Sequence, residues 1–148
     1  MSSQHFSGRH WQRGAAAVEF ALIATLFFTL LFGIVEMSRV LFYMNTATEA
    51  TRLGARLAVV CDVSASVIRT RMVNMLDVLS PENIDVVYQP TGCDIESCQS
   101  VTVSIRQGQD GFTINTLIPL VPLNIPMPAF STTLPRESLN SASNPMCG

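Results

Sequence analysis

Glu19 is the residue of this chain whose position most demands a chemical explanation. It stands near the start of an apolar run from Ala15 to Val35. That run holds about 21 residues, and about 20 suffice to cross the hydrocarbon core of a bilayer as a helix. A charged carboxylate costs of order 2.5–3.5 kcal/mol at the centre of such a helix, so a mere anchor has no use for it. An acid retained in lipid calls for a cation, and the residues just upstream suggest where one could come from. Met1 to Gly14 is polar, carries Arg9 and Arg13 and has no acidic residue. A cut after Gly14 would make Ala15 the new N-terminus and put its α-amine one helical turn from Glu19. An ordinary secretory signal is cut after its apolar region; here the small residue precedes the run, so the span would survive processing.

The other chemically capable side chains point away from catalysis. His5 and His10 both precede Gly14, and a cut there removes them, leaving no histidine for a triad or a histidine–zinc site. Cys61, Cys93, Cys98 and Cys147 all follow the apolar run. Cys93 and Cys98 are too far apart for the Cys-x-x-Cys redox motif. In an oxidising compartment disulfides are the default. Four cysteines allow three pairings and sequence alone does not choose among them. Local proximity favours Cys93–Cys98, which leaves Cys61–Cys147 to tie the C-terminal tail to the end of the long helix; one or both pairs staying reduced is the alternative. The acids Asp77, Asp85, Asp94, Glu96 and Asp110 form no recognisable catalytic pair, and Gly108 to Gly111 reads as a turn rather than a phosphate loop. No cofactor or metal is expected. A net charge of −2 gives no reason to expect nucleic acid.

These residues must be positioned by a small number of elements. The 148 residues allow one modest domain outside the span. From Ala15 to about Val60 the chain has no proline and reads as one helix, whose outer half carries Val40, Leu41, Met44, Ala47, Ala50, Leu53, Leu57 and Ala58 at helical spacing. Glu36–Arg39 and Glu49–Arg52 are i,i+3 pairs on a solvated face. Gly54 marks either close packing or a tolerated kink. A second helix is expected from about Val67 to Leu79, capped by Asp62, Ser64 or Ser66 and stopped by Pro81. Ile84–Gln89, Val101–Arg106 and Ala129–Leu134 read as strands. Thr113 to Pro128, with its four prolines, reads as an extended loop, and the polar tail from Ser138 as loose. The result is an α+β fold. Arg9 and Arg13 before the span favour a cytoplasmic N-terminus.

The run Arg13-Gly14-Ala15-Ala16-Ala17-Val18-Glu19-Phe20-Ala21-Leu22 resembles a type IV prepilin, and more narrowly the TadE-like pseudopilins of the tight-adherence (Flp) pilus system. The likeness continues in Phe32-Gly33-Ile34-Val35-Glu36-Met37-Ser38-Arg39 and in Ala47-Thr48-Glu49-Ala50-Thr51-Arg52-Leu53-Gly54-Ala55-Arg56. Leu53, where a polar residue is expected, and the four cysteines are its departures. The resemblance implies a leader at 1–14, a transmembrane segment at 15–36 and a pilin-like periplasmic domain at 37–148, single-pass in the bacterial inner membrane. It implies a minor pilin-like protein, not an enzyme, serving assembly of an adhesive pilus. An aspartyl prepilin peptidase would cut at Gly14–Ala15, with Glu19 and Phe20 read in processing or assembly. The partners are then that peptidase, other pilins or pseudopilins, pilus-assembly membrane proteins and membrane lipid. Glu19 would meet either its own α-amine or that of a neighbouring subunit. Two other readings compete: an uncleaved, membrane-tethered periplasmic binding module, and a thiol oxidoreductase.

Overall fold

The structure is a computed structural model that describes residues 9–106, 113–115, 124–137 and 139–147, with the side chains of 9–13 and 124–126 excepted. The expected turn at Gly108–Gly111, most of the leader, Ser138 and the middle of the proline-rich stretch lie outside the described residues. The chain divides into two units, Met1–Arg39 and Val40–Gly148.

Helix α1 runs from Arg9 to Ala58. It starts upstream of the expected Ala15, because the residues on either side of Gly14 are compatible with helix and nothing breaks it. Within the first unit the apolar side chains are exposed, from Val18 at 60% through Phe20 at 73% to Val35 at 46%. In the second unit the same helix turns a face of small residues inward: Ala47, Ala50, Ala55 and Ala58 are fully buried, with Val40 and Leu57 nearly so. Of the expected stripe, Met44 and Leu53 are half-buried and Leu41 is exposed.

Helix α2 spans Ser66–Met75, ending earlier than the apolar stripe suggested. Leu76 leaves helical geometry (φ −132°, ψ 86°), and Leu79 N–H then closes a turn on the Leu76 carbonyl at 2.8 Å. Asn74 and Asp77, whose side chains favour turns over helix, flank the departure. Leu76 and Leu79 are both buried, so the stripe reaches the core through a turn. None of the expected caps acts; the residue before the helix is Ala65, with no side-chain cap.

Three strands make an antiparallel sheet in the order β1–β2–β5, with β1 at Ile84–Gln89, β2 at Ser100–Ile105 and β5 at Phe130–Pro135. The register sets Ile84, Ile105 and Phe130 in one row, Val86, Val103 and Thr132 in the next, and Tyr88, Val101 and Leu134 in the third. This is the inward face. The outward face carries Asp85, Ser104 and Ser131, then Val87, Thr102 and Thr133, where the two threonine hydroxyls hydrogen-bond at 2.8 Å. Period-two alternation therefore separates core from solvent strand by strand. The stretch expected to be wholly extended loop contains two short strands, β3 at Thr113–Asn115 and β4 at Asn124–Pro126, paired antiparallel. They form because β3 contains no proline and β4 only one, at its last position, so no interior ladder donor is lost.

Gly54 explains how α1 sits on the sheet. A β-carbon there would collide with Met72 Sδ and come within 3.1 Å of Val103 Cγ1. The absent side chain lets the α1 backbone approach α2 and β2 together, which settles Gly54 as a close-packing site. Beside it Thr51, buried, donates to the Thr48 carbonyl at 2.8 Å and accepts from the Thr132 hydroxyl at 3.1 Å. The helix is thus keyed to β5 by a fully satisfied polar pair.

Candidate functional site: the apolar helix and the bridged domain

Gly14, Ala15, Glu19 and Phe20 all lie on α1, in a stretch where every side chain is exposed. A β-carbon on Gly14 would have nothing within 4 Å. Ala15 and Glu19 are four residues apart on a continuous helix and so share a face. The polar side chains between Gly14 and Val35 are Glu19, Thr25 and Thr29. Thr25 Oγ1 donates to the Ala21 carbonyl at 2.7 Å, and Thr29 Oγ1 to the Thr25 carbonyl at 2.8 Å. Both hydroxyls are satisfied within their own helix, as they would have to be in lipid. Glu19 makes no ion pair among the described residues. At the other end of the run Arg39 pairs with Glu36 at 3.1 Å, and Ser38 Oγ donates back to the Ile34 carbonyl at 2.8 Å. One helix, long and apolar enough to cross a membrane, therefore carries near its start an acid that has no ion pair among the described residues.

The cysteines form two bridges within the second unit. Cys93–Cys98 joins residues with Cα atoms 5.0 Å apart, and Cys61–Cys147 joins residues 5.5 Å apart. The first closes a loop in which the Asp94 carboxylate accepts from the Ser97 hydroxyl at 2.6 Å and from the backbone amides of Ser97 and Glu96. Those donors favour the charged form and hold Asp94 below the usual carboxylate range.

The second bridge belongs to a larger arrangement that corrects the expectation of a loose tail. A helix leaves its last carbonyls without partners inside the helix. Here the tail supplies donors just past the end of α1: the amides of Glu137 and Leu139 bond the Val59 carbonyl at 3.2 and 3.3 Å, and Asn140 bonds that of Val60 at 3.0 Å. Asp62 and Ser141 then bond reciprocally, Asp62 N–H to Ser141 Oγ at 2.9 Å and Ser141 N–H to Asp62 Oδ1 at 3.1 Å. Leu139 is 1% exposed. The tail is ordered because its one large apolar residue before Met146 fills the core and its polar neighbours satisfy the α1 terminus.

Two further interactions were not evident in the sequence. Tyr88, on the inward face of β1, is pushed up in pKa by burial, while its hydroxyl accepts the Ser64 N–H at 3.4 Å. It thereby supports Ser64 in the left-handed region (φ 63°). Asp85 pairs with Arg106 through two bonds of 2.9 Å; the Arg106 guanidinium holds its carboxyl below the usual range. The alternation of β1 and β2 places Asp85 on the solvent face, but the partner follows only from the register. Asp77, Asp94 and Glu96 are exposed, and Asp110 lies outside the described residues. Among the described residues no group of three or more histidine, cysteine, aspartate or glutamate side chains gathers as a metal site would require.

No curated protein and no solved structure matches the chain. The family model for TadE-like proteins matches residues 14–56, from the small residue at the polar boundary to the close-packed face around Gly54. Over this segment, less than a third of its length, the chain is similar to the TadE-like family, which is a family of pilus-associated proteins.

Proposed function

We propose that this protein is a minor pilin-like component of a tight-adherence type IV pilus, made as a precursor and cut between Gly14 and Ala15 by an aspartyl prepilin peptidase. The observation that carries the reading is the coincidence of two boundaries: the TadE-like match begins at residue 14, and the apolar run with Glu19 at its fifth position begins at residue 15. The leader would stay cytoplasmic, the helix cross the inner membrane once, and the bridged domain stand in the periplasm, where disulfides persist. Other pilins or pseudopilins and the pilus-assembly membrane proteins would be its partners.

The cut falls inside a helical stretch, since α1 begins at Arg9. A peptidase works on extended backbone, so this turn must open first. Gly14 favours that, because glycine in a helix interior costs about 1 kcal/mol relative to alanine and no packing around this one opposes unwinding. After cleavage the Ala15 amine is the cation nearest in sequence to Glu19, or a neighbouring subunit supplies the same group.

Mass spectrometry of the membrane-bound protein from a host with an active prepilin peptidase tests the proposal. A mature N-terminus at Ala15 is expected, with Gly14→Leu accumulating as the uncut precursor. A mature chain that still begins at Met1 or Ser2 overturns it and favours the tethered-module reading.

A further inference from the structure

We propose that residues 139–147 form a redox-locked strap, and that Cys147 is the sulfur through which thiol–disulfide exchange enters. The inference does not rest on the pilin reading. The Cys61–Cys147 bridge has two unlike ends. Cys61 is fully buried and its amide is bonded to the Leu57 carbonyl at 2.9 Å. It is followed directly by Asp62, which interlocks with Ser141. Cys147 keeps partial exposure, lies on a turn held by Asn144 and follows Met146, which is 55% exposed. An incoming thiolate of a folded oxidoreductase can reach only the Cys147 side while the strap is closed.

The strap is also built to move when the bridge opens. Leu139 (φ 45°) and Ser143 (φ 62°) both occupy the left-handed region, which a non-glycine residue adopts at an energetic cost. The burial of Leu139, the bonds to Val59, Val60 and Asp62, and the bridge together hold them there. Removing the covalent tie leaves the remaining contacts to oppose that strain.

The exchange balances with a dithiol/disulfide oxidoreductase as co-reactant. In closing, the Cys147 thiolate attacks one sulfur of the oxidant disulfide and expels the other as thiolate. The Cys61 thiolate then attacks Cys147 Sγ and expels the second oxidant sulfur. Two cysteine thiols become one disulfide, and the two protons end on the reduced oxidoreductase. In opening, a reductant thiolate attacks Cys147 Sγ and expels Cys61 as the thiolate. The reductant's second thiol then releases Cys147 as a thiol and itself becomes the disulfide.

The test uses the full-length protein in detergent micelles with reduced glutathione as probe. After brief exposure and acid quenching, peptide mapping should find the glutathione adduct on Cys147 at least tenfold more often than on Cys61. Equal labelling, or an excess on Cys61, overturns the assignment of the entry sulfur. Hydrogen exchange on the same reduced sample should show the amides of Leu139, Asn140 and Ser141 exchanging at least tenfold faster, with those of β1 and β2 unchanged. Unchanged protection of the tail, or loss of protection across the whole sheet, overturns the strap.

Discussion

Helix α1 carries two glycines outside its first turns, and their surroundings are opposite. A side chain on Gly33 would meet nothing within 4 Å; one on Gly54 would run into Met72 and Val103. The same contrast separates the two units. In Met1–Arg39 the described large apolar side chains are exposed, and in Val40–Gly148 most of the buried hydrophobic residues gather in one core. One helix therefore presents two unlike surfaces. Its first part is selected for what surrounds it from outside the chain, where large apolar residues need no partner within the fold. Its last part is selected for thinness, with Ala47, Ala50, Gly54 and Ala58 allowing close approach to the sheet.

Substitutions can break or sharpen this contrast. The largest effect should come from the covalent tie in the packed unit. The Cys61–Cys147 bridge spans 86 residues and Cys93–Cys98 spans 5. Chain-entropy arguments give about 4.6 kcal/mol for a loop of the first size and about 2.2 kcal/mol for the second. Cys61→Ser with Cys147→Ser should therefore lower the denaturant midpoint roughly twice as far as Cys93→Ser with Cys98→Ser, as read by urea unfolding of the full chain in micelles. Equal losses would mean that the non-covalent strap contacts already restrain the tail.

Next in size is the pair of glycines. Gly54→Val should destabilise the second unit by about 3 kcal/mol, through overpacking against Met72 and Val103. Gly33→Val should leave the same melting transition unmoved. A Gly33 variant that melts as early as the Gly54 variant would erase the distinction between the two parts of the helix.

The smallest effect belongs to the solvent face of the sheet. Asp85 has its pKa depressed by the Arg106 guanidinium in the folded state. Its contribution is thus present above the unfolded carboxylate pKa of about 3.9 and is lost as pH falls through the lower folded value. Both side chains are more than a third exposed, so screening limits the contribution to under about 1 kcal/mol. Asp85→Asn should lower the melting temperature slightly at pH 7 and not at pH 2, in paired thermal scans. A loss that persists at pH 2 would point to packing rather than charge.

What could be read from the residues depended on how locally each feature is encoded. The apolar run, the Glu19 position and the strand Ile84–Gln89 rest on composition or on period-two alternation, and the structure places that strand on the same residues. The end of α2 was misplaced because an apolar stripe records which side chains reach the core, not whether they reach it from a helix or a turn. Gly54 was ambiguous because its crowding comes from Met72 and Val103, neither of them near it in the chain. The tail was misread for the same reason. Ser138 to Ser143 is polar except for Leu139 and Ala142, and nothing local reveals that its amides complete a helix terminus made far earlier. Cys147 was the available clue: a bridge to Cys61 already implied a tail held against that helix.

The separation between those two cysteines also sets a clock. Chains grow at about 5–20 residues per second, so Cys147 is made about 4–17 s after Cys61, given their separation of 86 residues. Cys93 and Cys98 are made within that interval, so both are rival partners for Cys61 before its own arrives. Their separation of 5 residues lets them find each other first. If the short loop closes first, its two sulfurs are taken up with each other and Cys61 is left for the partner made last.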